Sequence, residues 1–205
     1  MTTNLLPIAA AGSSGAGPDG TARERLLAAA LLRFHADGTL AATLEDIRRD
    51  AGVSVGALYH HFPDKTALAA GLYAELTREF QDGFRAVLST RRDAEDGVKA
   101  AVRFYLRWVS QNRAAAAFLL GGRPAAEAQL REYNRSFFAD TMAWWQLHVH
   151  YGVLRDLPVD VIGALWLGPA HEYTRHWVAG PGKRVPATVA DVLADAAWQT
   201  LKEAP

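Results

Sequence analysis

The stretch that decides the fold runs Thr43-Leu-Glu-Asp-Ile-Arg-Arg-Asp-Ala-Gly-Val-Ser-Val-Gly-Ala-Leu-Tyr-His-His-Phe62. Thr43 is a good N-cap, and Asp46 three residues on completes an approximate capping box ahead of Ile47. A short helix to Ala51 follows. Gly52 supplies the positive φ that a tight turn between crossed helices requires, and Ser54 caps a second short helix. Val53 is apolar inside a turn, which makes sense as a plug in the angle between the helices. Ile47, Ala51 and Leu58 complete that small core. The outward face of the second helix then carries Val55, Ala57, Tyr59 and His60. Small residues beside aromatic hydrogen-bonding groups suit a helix that enters a major groove.

Upstream, Leu27, Ala30, Leu31 and Phe34 fall at helical spacing, and Gly38 is placed to end that helix. Residues 1–18 end in Ala-Gly-Ser-Ser-Gly-Ala-Gly-Pro and read as a disordered, low-complexity lead. Downstream, amphipathic stretches run over 64–90, 93–112, 113–120, 124–151, 158–179 and 186–202. Gly121-Gly122, Gly152, Leu157-Pro158 and Gly180-Pro181-Gly182 punctuate them. Pro169 predicts a kink inside the penultimate stretch. Strand signals are nearly absent, and no repeat of fixed period is found. The expectation is an all-α chain of about nine helices. A three-helix helix-turn-helix domain occupies 19–66, and a helical bundle occupies 67–205.

The 205 residues carry no net charge and no cysteine. That excludes disulfides, zinc ribbons and thiolate catalysis, and fits a reducing cytoplasm. Met1 to Ala11 is mildly apolar but lacks Lys and Arg and is broken by Pro7, so it does not read as a signal peptide. No apolar run approaches the roughly 18 residues of a membrane span. Residues 19–65 sum to a charge of −1. A net-acidic DNA-reading segment predicts weak non-specific affinity, because few condensed counterions are released.

The run from Arg25-Leu-Leu-Ala-Ala-Ala and Phe34, through Gly38, Thr43 and Ile47, to Ala51-Gly-Val-Ser-Val-Gly-Ala-Leu-Tyr-His-His-Phe62, Lys65 and Leu68 resembles the tetracycline-repressor (TetR/AcrR-type) family of transcriptional regulators. The resemblance implies a role for each matching residue. Thr43 caps the first motif helix beside a phosphate. Ser54 and Gly56 meet the DNA backbone, and Gly56 permits close approach. Val55, Ala57 and His60 face base edges, while Tyr59, His61 and Lys65 contact phosphates. Base-edge contacts set sequence preference and phosphate contacts set register. Arg48 departs from the family, which usually has a small residue there; it must reach solvent or add a backbone contact.

Behind this segment aromatics crowd the chain. Phe138, Met142, Trp145 and Val149 form one stripe, and Phe137, Trp144, His148 and Tyr151 a second beside it. Phe104, Trp108, Phe118, Phe137, Trp144, Trp145, His148, Trp166 and His171 are the candidates for a pocket that takes an apolar or aromatic small molecule. The plainer reading of each ring is core. Ile162, Trp166, Tyr173 and Trp177 line the penultimate helix, and Val189, Val192, Leu193 and Ala196 the last. By resemblance these form a homodimer interface whose twofold symmetry matches a palindromic operator.

No catalytic constellation emerges. The histidines of His171-Glu172-Tyr-Thr-Arg-His176 are five apart rather than four, and so do not share a helix face. Gly180-Pro-Gly-Lys183 lacks the spacing of a phosphate-binding loop. His148 and His150 face different sides of a helix. The expectation is therefore no metal, no cofactor and no enzyme. It is a cytoplasmic repressor, with no membrane partner, released from operator DNA by a small ligand. An activator or ligand-independent regulator of the same fold remains an alternative, as does a small helical enzyme or ligand carrier.

Overall fold

Ten helices make up the computed structural model, which describes residues 20–122, 126–180 and 184–204. They are α1 Ala22–Ala41, α2 Leu44–Ala51, α3 Val55–His61, α4 Lys65–Ser89, α5 Ala94–Gln111, α6 Arg113–Leu120, α7 Glu127–His150, α8 Val159–Trp166, α9 Gly168–Ala179 and α10 Ala187–Leu201. The lead over 1–18 lies outside the described residues. Among those described there is no strand, only an isolated antiparallel bridge between Leu154 and Lys202, and no helix is long and apolar enough to cross a membrane.

One helix more than the sequence predicts comes from a break before Pro169. The stretch 158–179 divides at Leu167, whose N–H closes α8 on the Gly163 carbonyl, and α9 starts at Gly168 with Pro169 in its first turn. In a first turn the N–H that proline lacks has no intrahelical partner to lose, so the chain restarts there instead of bending.

The helices fall into two compact units. Residues 20–79 and 112–131 make the first; residues 80–111 and 132–204 make the second. In the first, α1 begins with a capping box that sequence reading passed over: the Thr21 hydroxyl accepts the Glu24 N–H, and the Glu24 carboxylate accepts the Thr21 N–H. Leu26, Leu27, Ala30, Leu31 and Phe34 are buried along α1. Gly38, at φ 78°, interrupts it where the sequence places its end.

The core of the second unit is built on rings. Phe80 and Phe84 of α4 are its hubs, and sequence reading did not single them out. Phe80 packs on Phe104, Tyr105 and Trp108, while Phe84 packs on Phe104, Phe137 and Trp166. The two stripes expected on α7 do not both turn inward. Phe137, Trp145 and His148 are buried, whereas Phe138 and Tyr151 are 53% and 70% exposed. One inward face cuts across both stripes because α7 is covered on one side of its own unit only.

Two glycines let rings lie against helix backbone. A Cβ on Gly83 would sit 2.5 Å from Phe104, and one on Gly97 only 2.2 Å from Trp144. The Trp144 indole is also tied by its N–H to the Arg91 carbonyl at 3.0 Å, so it cannot retreat freely. Gly97→Ala is therefore expected to destabilise the protein by about 1–3 kcal/mol through overpacking, despite alanine's better helix propensity. Urea denaturation measures it, and an unchanged midpoint would mean that the indole is free to move.

Candidate nucleic-acid interface

Caps set the two motif helices. The Thr43 hydroxyl accepts the Asp46 N–H at 3.1 Å and donates to its carboxylate at 2.6 Å. Gly52 closes α2 at φ 61°, ψ 38°, its N–H returning to the Arg48 and Arg49 carbonyls. This left-handed position suits glycine. Ser54 then accepts the Ala57 N–H at 3.1 Å and starts α3. Val53 is 5% exposed and is buried, as are Ile47, Ala51 and Leu58.

Arg48, the residue that departs from the family, is held within the motif itself. Its guanidinium grips both Glu45 carboxylate oxygens, at 2.9 and 2.6 Å, and donates to the Val53 carbonyl at 2.8 Å. It braces the turn. The same pairing holds the Glu45 carboxyl below the usual carboxylate range. The signal was present in sequence, a Glu three residues before an Arg on one helix, but the bond to the turn carbonyl depends on the fold.

With Leu58 at 1% exposure, α3 is fixed by its inner side, which leaves its other face open. Val55 and Tyr59 are 55% and 54% exposed. Gly56 and His60 are exposed too; Ala57 and His61 are half-buried, and the His60 and His61 rings meet edge-on at 5.1 Å. A Cβ built on Gly56 finds no atom within 4 Å. An isopropyl group, a phenol ring and a bare glycine thus share a surface that none of the described residues covers.

The cations of this unit are largely committed within it. Arg33 holds both Asp50 oxygens, at 2.5 and 3.0 Å, and reaches Asp37 at 3.4 Å. This pairing keeps the Asp50 carboxyl low. Arg23 meets Glu75, Arg49 meets Asp46, and Arg25 donates to the Ala51 and Gly20 carbonyls. Lys65 donates to the Leu40 and Ala42 carbonyls at 2.9 and 3.1 Å, tying the start of α4 to the end of α1. A phosphate at Lys65 would have only the remaining ammonium proton, or would have to displace one of these bonds.

Of the ring candidates, Phe104, Trp108, Phe137, Trp144, Trp145, His148, Trp166 and His171 lie in the second unit and Phe118 in the first. Phe118 stacks on Phe34 at 5.6 Å and 13°, at the edge of a groove of about 420 Å³ that also meets His35, Thr39 and Ala69. In the second unit Trp166 stacks on Trp144 at 5.9 Å and packs on Trp145 at 5.4 Å, its N–H donated to the Val98 carbonyl. His148 lies 4.4 Å from Trp144, and its burial lowers its affinity for a proton. The Tyr105 hydroxyl links His171 and Thr174, at 3.2 and 2.9 Å. Tyr105 belongs to the aromatic crowding legible in the sequence but was not among the pocket candidates.

Of the interface candidates, Ile162 and Trp166 are 3% exposed and serve the unit's own core. Tyr173, Trp177, Val189 and Leu193 are half-buried and Ala196 is exposed. Val192 and Val159 are 66% and 56% exposed.

Residues 26–72 match the family described as "Bacterial regulatory proteins, tetR family". Among curated proteins, the "Uncharacterized HTH-type transcriptional regulator TtgW" of Pseudomonas putida is 37% identical over 78 residues, 38% of this chain and 58% of that protein. The match thus spans little more than half the length of that relative. A bacterial regulatory protein in the tetR family from Rhodococcus RHA1 has a similar fold, with a TM-score of 0.73 and 22% identity over 91% of this chain and 100% of that one. The fatty acid degradation regulator FadR of Bacillus halodurans has a TM-score of 0.72 and 17% identity over 88% and 96% of the two chains. The helix-turn-helix geometry and the family match agree on residues 26–72, which are the DNA-reading segment of the tetR family of bacterial regulatory proteins; over the rest of the chain the likeness is one of fold.

Proposed function

We propose that this regulator is a cytoplasmic repressor acting as a homodimer, whose paired α3 helices occupy successive major grooves of a palindromic operator. The observation that carries the reading is the open face of α3 over a buried Leu58. Val55, Ala57 and His60 address base edges, while Thr43, Ser54, Gly56, Tyr59, His61 and Lys65 approach the backbone. The exposed Val159, Val192 and Ala196, flanked by Tyr173, Trp177, Val189 and Leu193, offer the dimer surface. An apolar or aromatic molecule entering among the rings of the second unit relieves repression. The likeness to FadR, a regulator named for fatty acid degradation, supports an apolar effector class. The single helix α4 carries the ligand's effect, because a shift at its Phe80 and Phe84 end alters how it holds the helix-turn-helix through Lys65. Coupling of about 1–3 kcal/mol suffices.

The test is fluorescence anisotropy with DNA from the chain's own upstream region. Because the cations of the first unit are already partnered, few phosphates are neutralised. Log affinity is expected to fall against log salt with a slope shallower than about −5 per dimer, at roughly −0.9 per phosphate neutralised. A steeper slope means the internal ion pairs open on DNA. Absence of binding at low salt to any fragment overturns the repressor reading.

A further inference from the structure

Helices α5 and α10 run antiparallel and are joined by ion pairs spaced one turn apart. Lys99 meets Asp195 at 2.7 Å as well as Glu95 at 2.6 Å, and Arg103 meets Asp191 at 2.9 Å. One further turn along each helix brings Arg107 on α5 and Ala187 on α10. Four-residue steps keep to one helix face, so Ala187 stands where a third carboxylate would complete the ladder. Arg107 is exposed and has no ion pair or hydrogen bond among the described residues; the same is true of Arg184, just ahead of α10.

Both arginines line a groove of about 370 Å³, together with Arg103, Ser110, Leu106 and Asp191. Asp191 is already taken by Arg103, so two guanidinium charges are left uncompensated. The groove is held in shape by the Ser110 hydroxyl, which accepts the Val185 N–H at 3.1 Å. Pro186 gives α10 no side-chain cap, so its first free N–H groups add their partial positive charge at the same place. Leu106 and Val185 supply an apolar lining beside the charges.

The geometry points to a binding site for a small organic anion, a phosphate or carboxylate joined to an apolar group, which fills the missing third rung between Arg107 and Arg184. Paired guanidiniums are the side chains best suited to grip such oxyanions. The site is separate from the ring cluster and from α3, so it stands whether or not the repressor reading does.

Isothermal titration of the full chain at low salt tests it, with phenyl phosphate, benzoate and inorganic phosphate as probes. Phenyl phosphate or benzoate is expected to bind, and the stronger of the two identifies the headgroup. Phenyl phosphate should bind more tightly than inorganic phosphate because of the apolar lining. The double variant Arg107→Ala/Arg184→Ala should lose about tenfold or more in affinity. Ala187→Asp should also block binding, since it supplies the absent carboxylate from within, and should melt no lower than the unmodified protein. Thermal melts confirm that both variants fold. No binding of either organic anion at millimolar concentration, or equal binding in both variants, overturns the proposal.

Discussion

Phe84→Ala is expected to destabilise the protein by about 3–5 kcal/mol, the range for truncating a large buried ring. The side chain is 2% exposed and faces Phe80, Phe104, Phe137 and Trp166 with ring centroids 5.6 to 6.4 Å away. Removing it opens a cavity and forfeits edge-to-face contacts worth about 0.5–1.5 kcal/mol per pair beyond the area buried. Rings on α5, α7 and α8 then lose their common neighbour on α4. Phe138→Ala is the contrast. It removes an equal ring from the exposed side of α7 and should change stability by less than about 0.5 kcal/mol. Urea denaturation followed by tryptophan fluorescence reads both, since Trp166 sits against Phe84. A loss below about 1 kcal/mol for Phe84→Ala would show the rings to be loosely gathered around space for a ligand instead of closing on one another.

The same cluster marks where sequence stops being sufficient. The helix-turn-helix was legible because its determinants are local: Thr43, Gly52 and Ser54 act on backbone groups within a few residues. Most helix boundaries in the second unit were legible from their punctuation, the break at Leu167 excepted. Which face of α7 turns inward was not, because Phe137 and Phe138 are adjacent, equally apolar, and sorted only by what packs against them. Phe118 reads as one aromatic among many, yet it belongs with Phe34 of the first unit, a pairing across 84 residues of sequence. Arg48 and Lys65 look like free cations in the sequence. Arg48 instead donates to the Val53 carbonyl in the turn, and Lys65 to the Leu40 and Ala42 carbonyls at the end of α1, which only the fold brings within its reach. The missing rung at Ala187 likewise appears only once α5 and α10 are laid side by side.

Gly56→Leu is expected to abolish tight operator binding, lowering affinity at least about a hundredfold, while leaving the fold intact. Within the protein the position is empty: a Cβ there has no neighbour within 4 Å. Leucine is the better helix former, so stability should hold or rise by up to about 1 kcal/mol. Any loss of binding is therefore a loss at the DNA, where a bulky side chain at the start of α3 keeps backbone from approaching backbone. Tyr59→Ala should behave differently. It removes an exposed ring and, on the proposed reading, one phosphate hydrogen bond, so binding should weaken about tenfold and almost equally for matched and mismatched sites. Ala57 and His60 substitutions should instead change which sites are preferred, because base-edge contacts carry the discrimination. Anisotropy titrations on one operator and a set of single-base variants separate the three behaviours. If Gly56→Leu binds as tightly as the parent chain, α3 does not enter the groove by this face, and the DNA must be read from another surface of the first unit.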